Sequence, residues 1–327
     1  MPAKKTVFAT ISKRAVIEPV APFNFDGTVY VPHYFRTRDF KWKPNVMWQV
    51  VNLEKTLVGI KMQNKGISDK PKLQLSMYSE AQLSVELVDK IIKEMTWRYG
   101  LNEDLNGFFS EFRYDSFLKP AFKRLRGMRI NCANSLYELL IISIVLQNAT
   151  VKRTIQMMNR MFNAYGKKLQ FSGQALTAYW DPYDLHETSE EELRFLKVGY
   201  RAKMIKQISD AFTNNEVNEY ALRKKNTEEA EKELMKLYGV GPATAQIVLT
   251  GYLRKYDTFS LKGRFWEQKI LSRALFNQKL VPTERIVEEF ECRYGKWRNL
   301  AFHYIFTNLF WKHREKPILW LQKEIRI

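Results

Sequence analysis

The chain has 327 residues, 45% of them hydrophobic, which is enough for a substantial core divided over more than one domain. Lysine and arginine number 53 against 35 acidic residues, and the net charge of +18 favours a polyanionic partner. The two cysteines, Cys132 and Cys292, exclude a disulfide framework, a zinc site built from cysteines and a four-cysteine iron–sulfur cluster.

Two further features bear on the setting of the protein. No apolar run reaches the length of a membrane span, and the residues after Met1 lack the apolar core of a signal peptide. We therefore expect a cytoplasmic protein without a membrane partner, associated with the nucleoid if the source is a prokaryote. A lysine-rich surface adapted to heat or acid is the alternative explanation of the charge.

The first part of the chain, residues 1–115, predicts an α+β domain with a small antiparallel sheet. Alternating apolar and polar side chains predict strands, and a helical spacing follows them over residues 79–99. The predicted strands are residues 28–31, 46–51, 56–62 and 72–78. Residues 116–327 predict an all-helical domain of two lobes, in which residues 171–184 form a loop.

The most informative stretch is Leu237–Val248, which reads Leu-Tyr-Gly-Val-Gly-Pro-Ala-Thr-Ala-Gln-Ile-Val between two helical runs. Gly239 and Gly241 allow a sharp turn, and Pro242 suits the first position of a helix. The N–H groups of Val240, Gly241 and the following helical turn are expected to point outward, a geometry that binds phosphate. An ordinary helical corner is the alternative, but the whole pattern favours a helix–hairpin–helix that binds a DNA backbone.

This stretch resembles the hairpin of the HhH-GPD superfamily of DNA glycosylases. Weaker matches lie in the family's order between about residues 120 and 311, including a Leu-Lys-Val-Gly-Tyr-Arg-Ala helix at 196–202 and the Trp-Arg-x-x-Ala helix that begins at Trp297. The N-terminal α+β domain makes the 3-methyladenine DNA glycosylase II branch, which acts on alkylated bases, the most similar. The resemblance implies a mainly α, helix–hairpin–helix glycosylase fold.

The resemblance also implies an activity. Such a protein would be a monomeric, monofunctional DNA N-glycosylase of base excision repair. It would flip a damaged purine, in the first place an alkylated one, out of double-stranded DNA and leave an abasic site. The family's endonuclease III branch usually carries an iron–sulfur cluster, which this chain cannot hold. No cofactor is required, although the family often binds a monovalent cation, Na⁺ or K⁺, at the hairpin backbone, here near Tyr238 and Val240.

DNA contacts are implied around the hairpin. The phosphate-binding candidates are Gly239, Val240, Gly241, Ala243, Thr244, Arg201 and Lys203. Gln147 and Asn148, which follow a very apolar helix, match the polar residue that family members push into the duplex where the base has left. A helix-capping role is the alternative for this pair.

The catalytic residues are where the resemblance is incomplete. Departure of a base leaves positive charge on the sugar, which a carboxylate stabilises. The family's carboxylate falls on Lys262-Gly263 here, so Asp257 and Glu267 are competing candidates. The lysine nucleophile of bifunctional members falls on Ala243, which predicts an enzyme without lyase activity. Two alternatives remain: a damaged-DNA-binding protein that has lost catalysis, and an oxidised-purine glycosylase/lyase.

An alkylated purine is already cationic, so its pocket needs electron-rich aromatic faces more than an acid. Each good face contributes about 0.5–2 kcal/mol of cation–π attraction. The candidates for this pocket are Phe306, Trp266, Tyr238, Tyr137 and Trp180.

Overall fold

The computed structural model of the protein describes residues 6–324. Its strands are β1 (Val7–Phe8), β2 (Thr10–Ile17), β3 (Phe40–Lys43), β4 (Val46–Leu53), β5 (Thr56–Asn64), β6 (Leu73–Ser79), β7 (Lys167–Phe171) and β8 (Gln174–Ala178). The first eight helices are α1 (Phe25–Val29), α2 (Val85–Arg98), α3 (Asn106–Glu111), α4 (Leu118–Leu125), α5 (Leu136–Leu146), α6 (Val151–Tyr165), α7 (Pro182–His186) and α8 (Glu190–Phe195).

The remaining helices are α9 (Arg201–Thr213), α10 (Glu219–Lys224), α11 (Thr227–Met235), α12 (Pro242–Ile247), α13 (Phe265–Phe276), α14 (Thr283–Tyr294), α15 (Arg298–Glu315) and α16 (Leu319–Glu324). A π-helical segment, Val248–Tyr252, continues α12, and a 3-10 turn, Gly295–Trp297, precedes α15. No helix within residues 6–324 is both long enough and apolar enough to span a bilayer. The mainly helical fold with a small N-terminal antiparallel sheet is confirmed.

The N-terminal sheet has five antiparallel strands in the order β2-β6-β5-β4-β3. Its inner face packs on α2, where Ile60 and Leu75 meet Met95 in one core. One predicted strand, residues 28–31, is wrong, because Thr28 belongs to α1. The Asn24 side chain caps that helix by accepting the Gly27 N–H, a local bond that overrides the β-branched composition of the segment.

The predicted all-helical domain contains a β-hairpin, which corrects that part of the prediction. β7 and β8 pair through a turn at Ser172-Gly173, whose φ angles are +47° and +70°, and β1 adds in parallel to β7. The predicted loop at 171–184 therefore includes a strand. Phe171 packs on the backbone of Gly59 in β5, where a Cβ would lie 2.5 Å from the Phe171 ring.

Two helical lobes follow, each with its own core. The first is formed by α5 to α12, with Leu140, Ile205 and Val248 in its centre. The second is formed by α3, α4 and α13 to α16, around Phe108 and Phe302. α3 packs in this second lobe, to whose core it contributes Phe108 and Phe109.

Candidate functional site

The hairpin between α11 and α12 is a tight turn that depends on its glycines. Gly239 has φ +84°, and a Cβ there would lie 2.8 Å from the Met204 Cγ, so both backbone and space require glycine. Gly241 is extended at the N-cap of α12, and a Cβ on it would meet nothing within 4 Å. Pro242 follows as the first helical residue. The turn therefore presents open backbone beside the N-terminus of α12.

The N–H groups of this turn are only partly free. Val240 N–H donates to the Leu237 carbonyl at 3.0 Å, so it is not the outward donor that the sequence suggested. Gly241 N–H has no acceptor within residues 6–324, and Ala243 and Thr244 lie in the first helical turn, where no i−4 carbonyl is available. A phosphate bound here would therefore be held by Gly241, Ala243 and Thr244.

Arg201 and Lys203, both predicted to contact phosphate, lie in different environments. Arg201 is buried, and its guanidinium donates to the main-chain carbonyls of Gln147 and Val198. It holds the α5–α6 loop and is not free to bind a phosphate. Lys203 is exposed, with its Nζ 5.2 Å from the ring centre of Tyr238, which is also exposed. Lys203 is therefore the accessible cation beside the hairpin.

The α5–α6 loop separates the two residues predicted to enter the duplex. The Gln147 side chain donates through Nε2 to the Gly239 carbonyl at 2.8 Å and lies 3.3 Å from the Thr244 hydroxyl. It connects this loop to the hairpin and is not free. Asn148 is exposed at the tip of the loop with φ +47°. Of the two, Asn148 is the exposed side chain, and its Nδ2 donates to the Tyr200 hydroxyl at 3.3 Å.

A group of polar and aromatic side chains, which we call the cleft cluster, gathers where the segment after α1 meets α13 and α15. Its members are His33, Tyr34, Arg264, Trp266, Glu267, His303 and Phe306. The His33 ring lies 5.1 Å from Phe306, and Trp266 lies 5.6 Å from Phe306 on another side. Two predicted pocket residues, Phe306 and Trp266, are thus brought together with the predicted Glu267.

The pKa values of three side chains of the cleft cluster, His33, His303 and Tyr34, are strongly shifted. Desolvation, followed by the charge of Arg264, lowers the pKa of His33 and that of His303 to about 3, so both imidazoles are neutral at pH 7. Desolvation also raises the pKa of Tyr34 to about 12, although 53% of the residue's surface remains accessible.

The two candidate carboxylates differ in position. Asp257 is exposed and accepts a hydrogen bond from the Thr227 hydroxyl at 2.7 Å, so it ties its loop to the first turn of α11. Glu267 is half-buried, and the Arg264 Nε and Nη2 both donate to its Oε1 at 3.1 and 3.0 Å. Its Oε2 accepts no hydrogen bond from the described part of the chain. Glu267 is the carboxylate that faces the cleft cluster.

The positions where the family carries its lysine and its acid lie side by side. A Cβ on Gly263 would be 3.5 Å from the Cβ of Ala243. The register inferred from the sequence therefore corresponds to proximity in space. Neither residue offers a functional group at this point.

Three of the predicted pocket aromatics lie elsewhere. Tyr137 and Trp180 are buried in the core of the first lobe, where the Trp180 Nε1 donates to the Tyr137 hydroxyl at 3.2 Å and Ser209 bonds the same hydroxyl. Tyr238 is exposed on the hairpin. The sequence reasoning did not single out His33, Tyr34 and His303. The run Pro32-His-Tyr-Phe35 was the available signal for two of them.

Comparison with known proteins shows what this chain is similar to. Residues 141–264 match the family model described as HhH-GPD superfamily base excision DNA repair protein. A DNA-3-methyladenine glycosylase of Bacillus subtilis is 24% identical over 255 residues, which cover 73% of this chain and 82% of that protein.

Two solved structures are similar along almost their whole length. The 3-methyladenine DNA glycosylase of Archaeoglobus fulgidus has a TM-score of 0.73 at 17% identity and covers 91% of this chain and 99% of its own. The 8-oxoguanine glycosylase/lyase of Clostridium acetobutylicum, in complex with double-stranded DNA containing cytosine opposite 8-oxoguanine, has a TM-score of 0.66 at 20% identity and covers 97% of this chain and all of its own. The predicted resemblance to the HhH-GPD superfamily is confirmed.

Proposed function

Because residues 141–264 match the model of the HhH-GPD superfamily of base excision DNA repair proteins, we propose that this protein is a monofunctional DNA N-glycosylase. It removes damaged, alkylated purines from double-stranded DNA and leaves an abasic site. The name of the Bacillus subtilis relative and the likeness to the Archaeoglobus fulgidus structure support the choice of alkylated purines. The hairpin, through Gly241, Ala243 and Thr244, would hold the DNA backbone, and Lys203 would add a phosphate contact.

The observation that carries the proposal is the position of Glu267. It lies in the first turn of α13, four residues after Gly263, the turn residue on which the family's acid would fall. Arg264 binds only its Oε1, and its Oε2 is left for a positively charged sugar. As the C1′–N bond breaks, the bonding electrons leave with the cationic purine, which departs as a neutral base. The Glu267 carboxylate stabilises the sugar cation and accepts a proton from the water that adds to C1′.

The same site supports the absence of a lyase step. Ala243 has no amine with which to form a Schiff base, and the Gly263 beside it has no acid. The oxidised-purine glycosylase/lyase reading has a structural neighbour of that name in its favour, but it requires a different lysine. Borohydride trapping on damaged DNA separates the two, since only a lyase leaves a covalent adduct.

A non-catalytic damaged-DNA-binding protein is the second candidate function. It is favoured by Gly263 at the expected acid position and by the engagement of Glu267 with Arg264. Such a protein would use the same hairpin and would bind damaged duplexes without releasing a base.

We include a monovalent cation in the proposal. The carbonyl of Gly239 is occupied by Gln147, whereas those of Tyr238 and Val240 accept no hydrogen bond within residues 6–324. Free carbonyl oxygens suit a hard alkali ion, so Na⁺ or K⁺ would be held by these two groups and would add positive charge beside the phosphate.

The test is excision from duplexes that each carry one defined lesion: 1-methyladenine, 3-methyladenine, 7-methylguanine, hypoxanthine, uracil or 8-oxoguanine. Alkali cleaves abasic sites, and a lane without alkali reports lyase activity. We expect alkali-dependent cleavage that falls by about 10²-fold or more in Glu267→Gln, as for loss of an electrostatic catalyst. The matched variant Asp257→Asn should retain activity. Tight binding with no base released from any substrate would leave the non-catalytic function.

A further inference from the structure

The outer face of the N-terminal sheet is strongly basic. Cross-strand partners share a face, and the register aligns Lys41 with Trp48, Trp48 with Lys61, Lys61 with Ser76 and Ser76 with Arg14. Lys43 lies two residues after Lys41 on the same face. We call Arg14, Lys41, Lys43 and Lys61 the basic sheet face.

This face is only partly covered. Trp48 packs with Phe171 and Leu169 under the β7–β8 hairpin, and Lys41 reaches the Gln174 side chain at its rim at 2.6 Å. The side chains of Arg14 and Lys43 are exposed beyond that rim. The remaining part of the sheet surface is therefore open to a partner.

No acidic residue balances these charges on the sheet. None of the five strands contains Asp or Glu. Among the acids that flank the strands, Glu54 pairs with Lys90 and Asp69 with Arg126. Asp39 is buried before β3, and Glu18 and Glu80 stand beyond the ends of β2 and β6. None of the four residues of the basic sheet face forms an ion pair with another residue of the described chain.

Their spacing makes this arrangement unfavourable for the isolated fold. Strands lie about 4.8 Å apart, so Lys41 to Lys61 and Lys61 to Arg14 each span about 10 Å, within the range of unscreened repulsion at moderate salt. Lys65 and Lys72 continue the same face just beyond the ends of β5 and β6, where the Lys65 N–H donates to the Lys72 carbonyl at 2.8 Å. An intervening strand separates each of these pairs, so the charges add repulsion and no ion pair to the sheet, and folding stability does not account for them.

We propose that the basic sheet face binds the phosphate backbone of double-stranded DNA outside the segment held by the hairpin. Lysine, arginine and glutamine are typical phosphate-contacting residues, and Gln63 and Gln74 stand opposite each other on the same face. The sheet packs on α2 and on β7–β8. The two hydrophobic cores on its faces contain no residue of the helical hairpin at residues 237–248. The second contact would retain the protein on undamaged DNA, independently of the chemistry at the cleft cluster.

The test uses the full chain carrying Arg14→Gln, Lys43→Gln and Lys61→Gln together. Binding to an undamaged duplex of about 40 base pairs is measured against salt concentration. We expect the slope of log K against log salt to fall by about 2 to 3, at about 0.9 per lost phosphate contact. Excision from a duplex of about 12 base pairs with the lesion at its centre, which offers few phosphates beyond the lesion, should be unchanged. This readout separates failure of this proposal from failure of the proposed function.

The control removes the same charge elsewhere, through Lys119→Gln, Lys279→Gln and Lys316→Gln, three exposed lysines of the second lobe. Thermal melts verify that both triple variants are folded. An equal change of slope in both variants would overturn the proposal, because it would reflect net charge alone. An unchanged slope in the sheet variant would overturn it as well and would redirect the search to an acidic protein partner.

Discussion

At the scale of single residues, the hairpin glycines have two different roles. Gly239→Ala should destabilise the fold, because φ of +84° and the approach of Met204 both oppose a Cβ, at a combined cost of about 1–3 kcal/mol. Gly241→Ala should leave the melting temperature within about two degrees of the wild type, since the Gly241 backbone is extended and its surroundings are open. The added methyl group should nevertheless weaken DNA binding, because it stands where a phosphate would approach. Melting and fluorescence anisotropy measure the two effects, and equal losses of stability in both variants would contradict this division.

The lowered pKa of His33 predicts that the free energy of unfolding depends on pH. The pKa of His33 is lowered from 6.5 to about 3, so below pH 6.5 the unfolded chain binds a proton that the folded chain does not. The contribution of the neutral His33 ring to the free energy of unfolding is therefore fully present above pH 6.5, and it is lost as the pH falls towards 3. The slope is about 1 kcal/mol per pH unit after allowance for a partly accessible ring.

His33→Phe isolates this effect from other groups. Asp39, whose pKa is raised to about 7 by desolvation and by Glu138, changes stability in the opposite direction with pH and is common to both proteins. Urea unfolding is measured between pH 7 and about pH 4.5. As the pH falls, the free energy of unfolding of the variant should rise relative to that of the wild type by up to about 2 kcal/mol. If the difference in free energy of unfolding between the two proteins did not change with pH, His33 would have the same pKa in the folded and the unfolded chain.

At the scale of elements, the α5–α6 loop and the hairpin behave as one unit. The Gln147 side chain bonds the Gly239 carbonyl, and Arg201 holds the Gln147 carbonyl from behind. Gln147→Leu should cost about 1 kcal/mol of stability and should lower DNA affinity and excision together, because the hairpin loses its support. Asn148→Gly removes the exposed side chain and retains the φ of +47°, so it should change stability little and reduce excision more than affinity. If Gln147→Leu bound DNA like the wild type, the bond would have no role in shaping the hairpin.

The elements that could be predicted from sequence are those fixed by local chemistry. The hairpin follows from Gly239, Gly241 and Pro242, and α5 from a nearly continuous apolar run with a Ser135–Glu138 capping box. β8 could not be predicted, because it depends on pairing with β7 and on the packing of Leu176 with Trp48, more than a hundred residues earlier. The cleft cluster was missed for the same reason, since His33 meets His303 and Arg264 only after folding.

At the scale of the whole molecule, buried charges connect the N-terminal domain to the first lobe. Glu94 and Arg98 of α2 pair at 2.9 Å, and Arg223 of α10 binds Glu94 at 2.9 Å. All three side chains are at most 10% exposed. With β1 also paired to β7 across the two parts, the sheet domain and the helical part are joined by backbone and side-chain bonds.

Arg223→Met is therefore expected to destabilise the entire chain. Glu94 would remain buried with Arg98 as its one close cation, and breaking a buried pair of this kind costs about 3 kcal/mol. The control Lys232→Met removes a cation from an exposed pair with Glu228, where the cost should stay below about 1 kcal/mol. Urea unfolding followed by both tryptophan fluorescence and far-ultraviolet circular dichroism should give one coincident transition for each protein, shifted in Arg223→Met. Two separated transitions in the wild type would show instead that the N-terminal sheet unfolds independently of the lobes, and that the buried charges orient the domain without stabilising the whole.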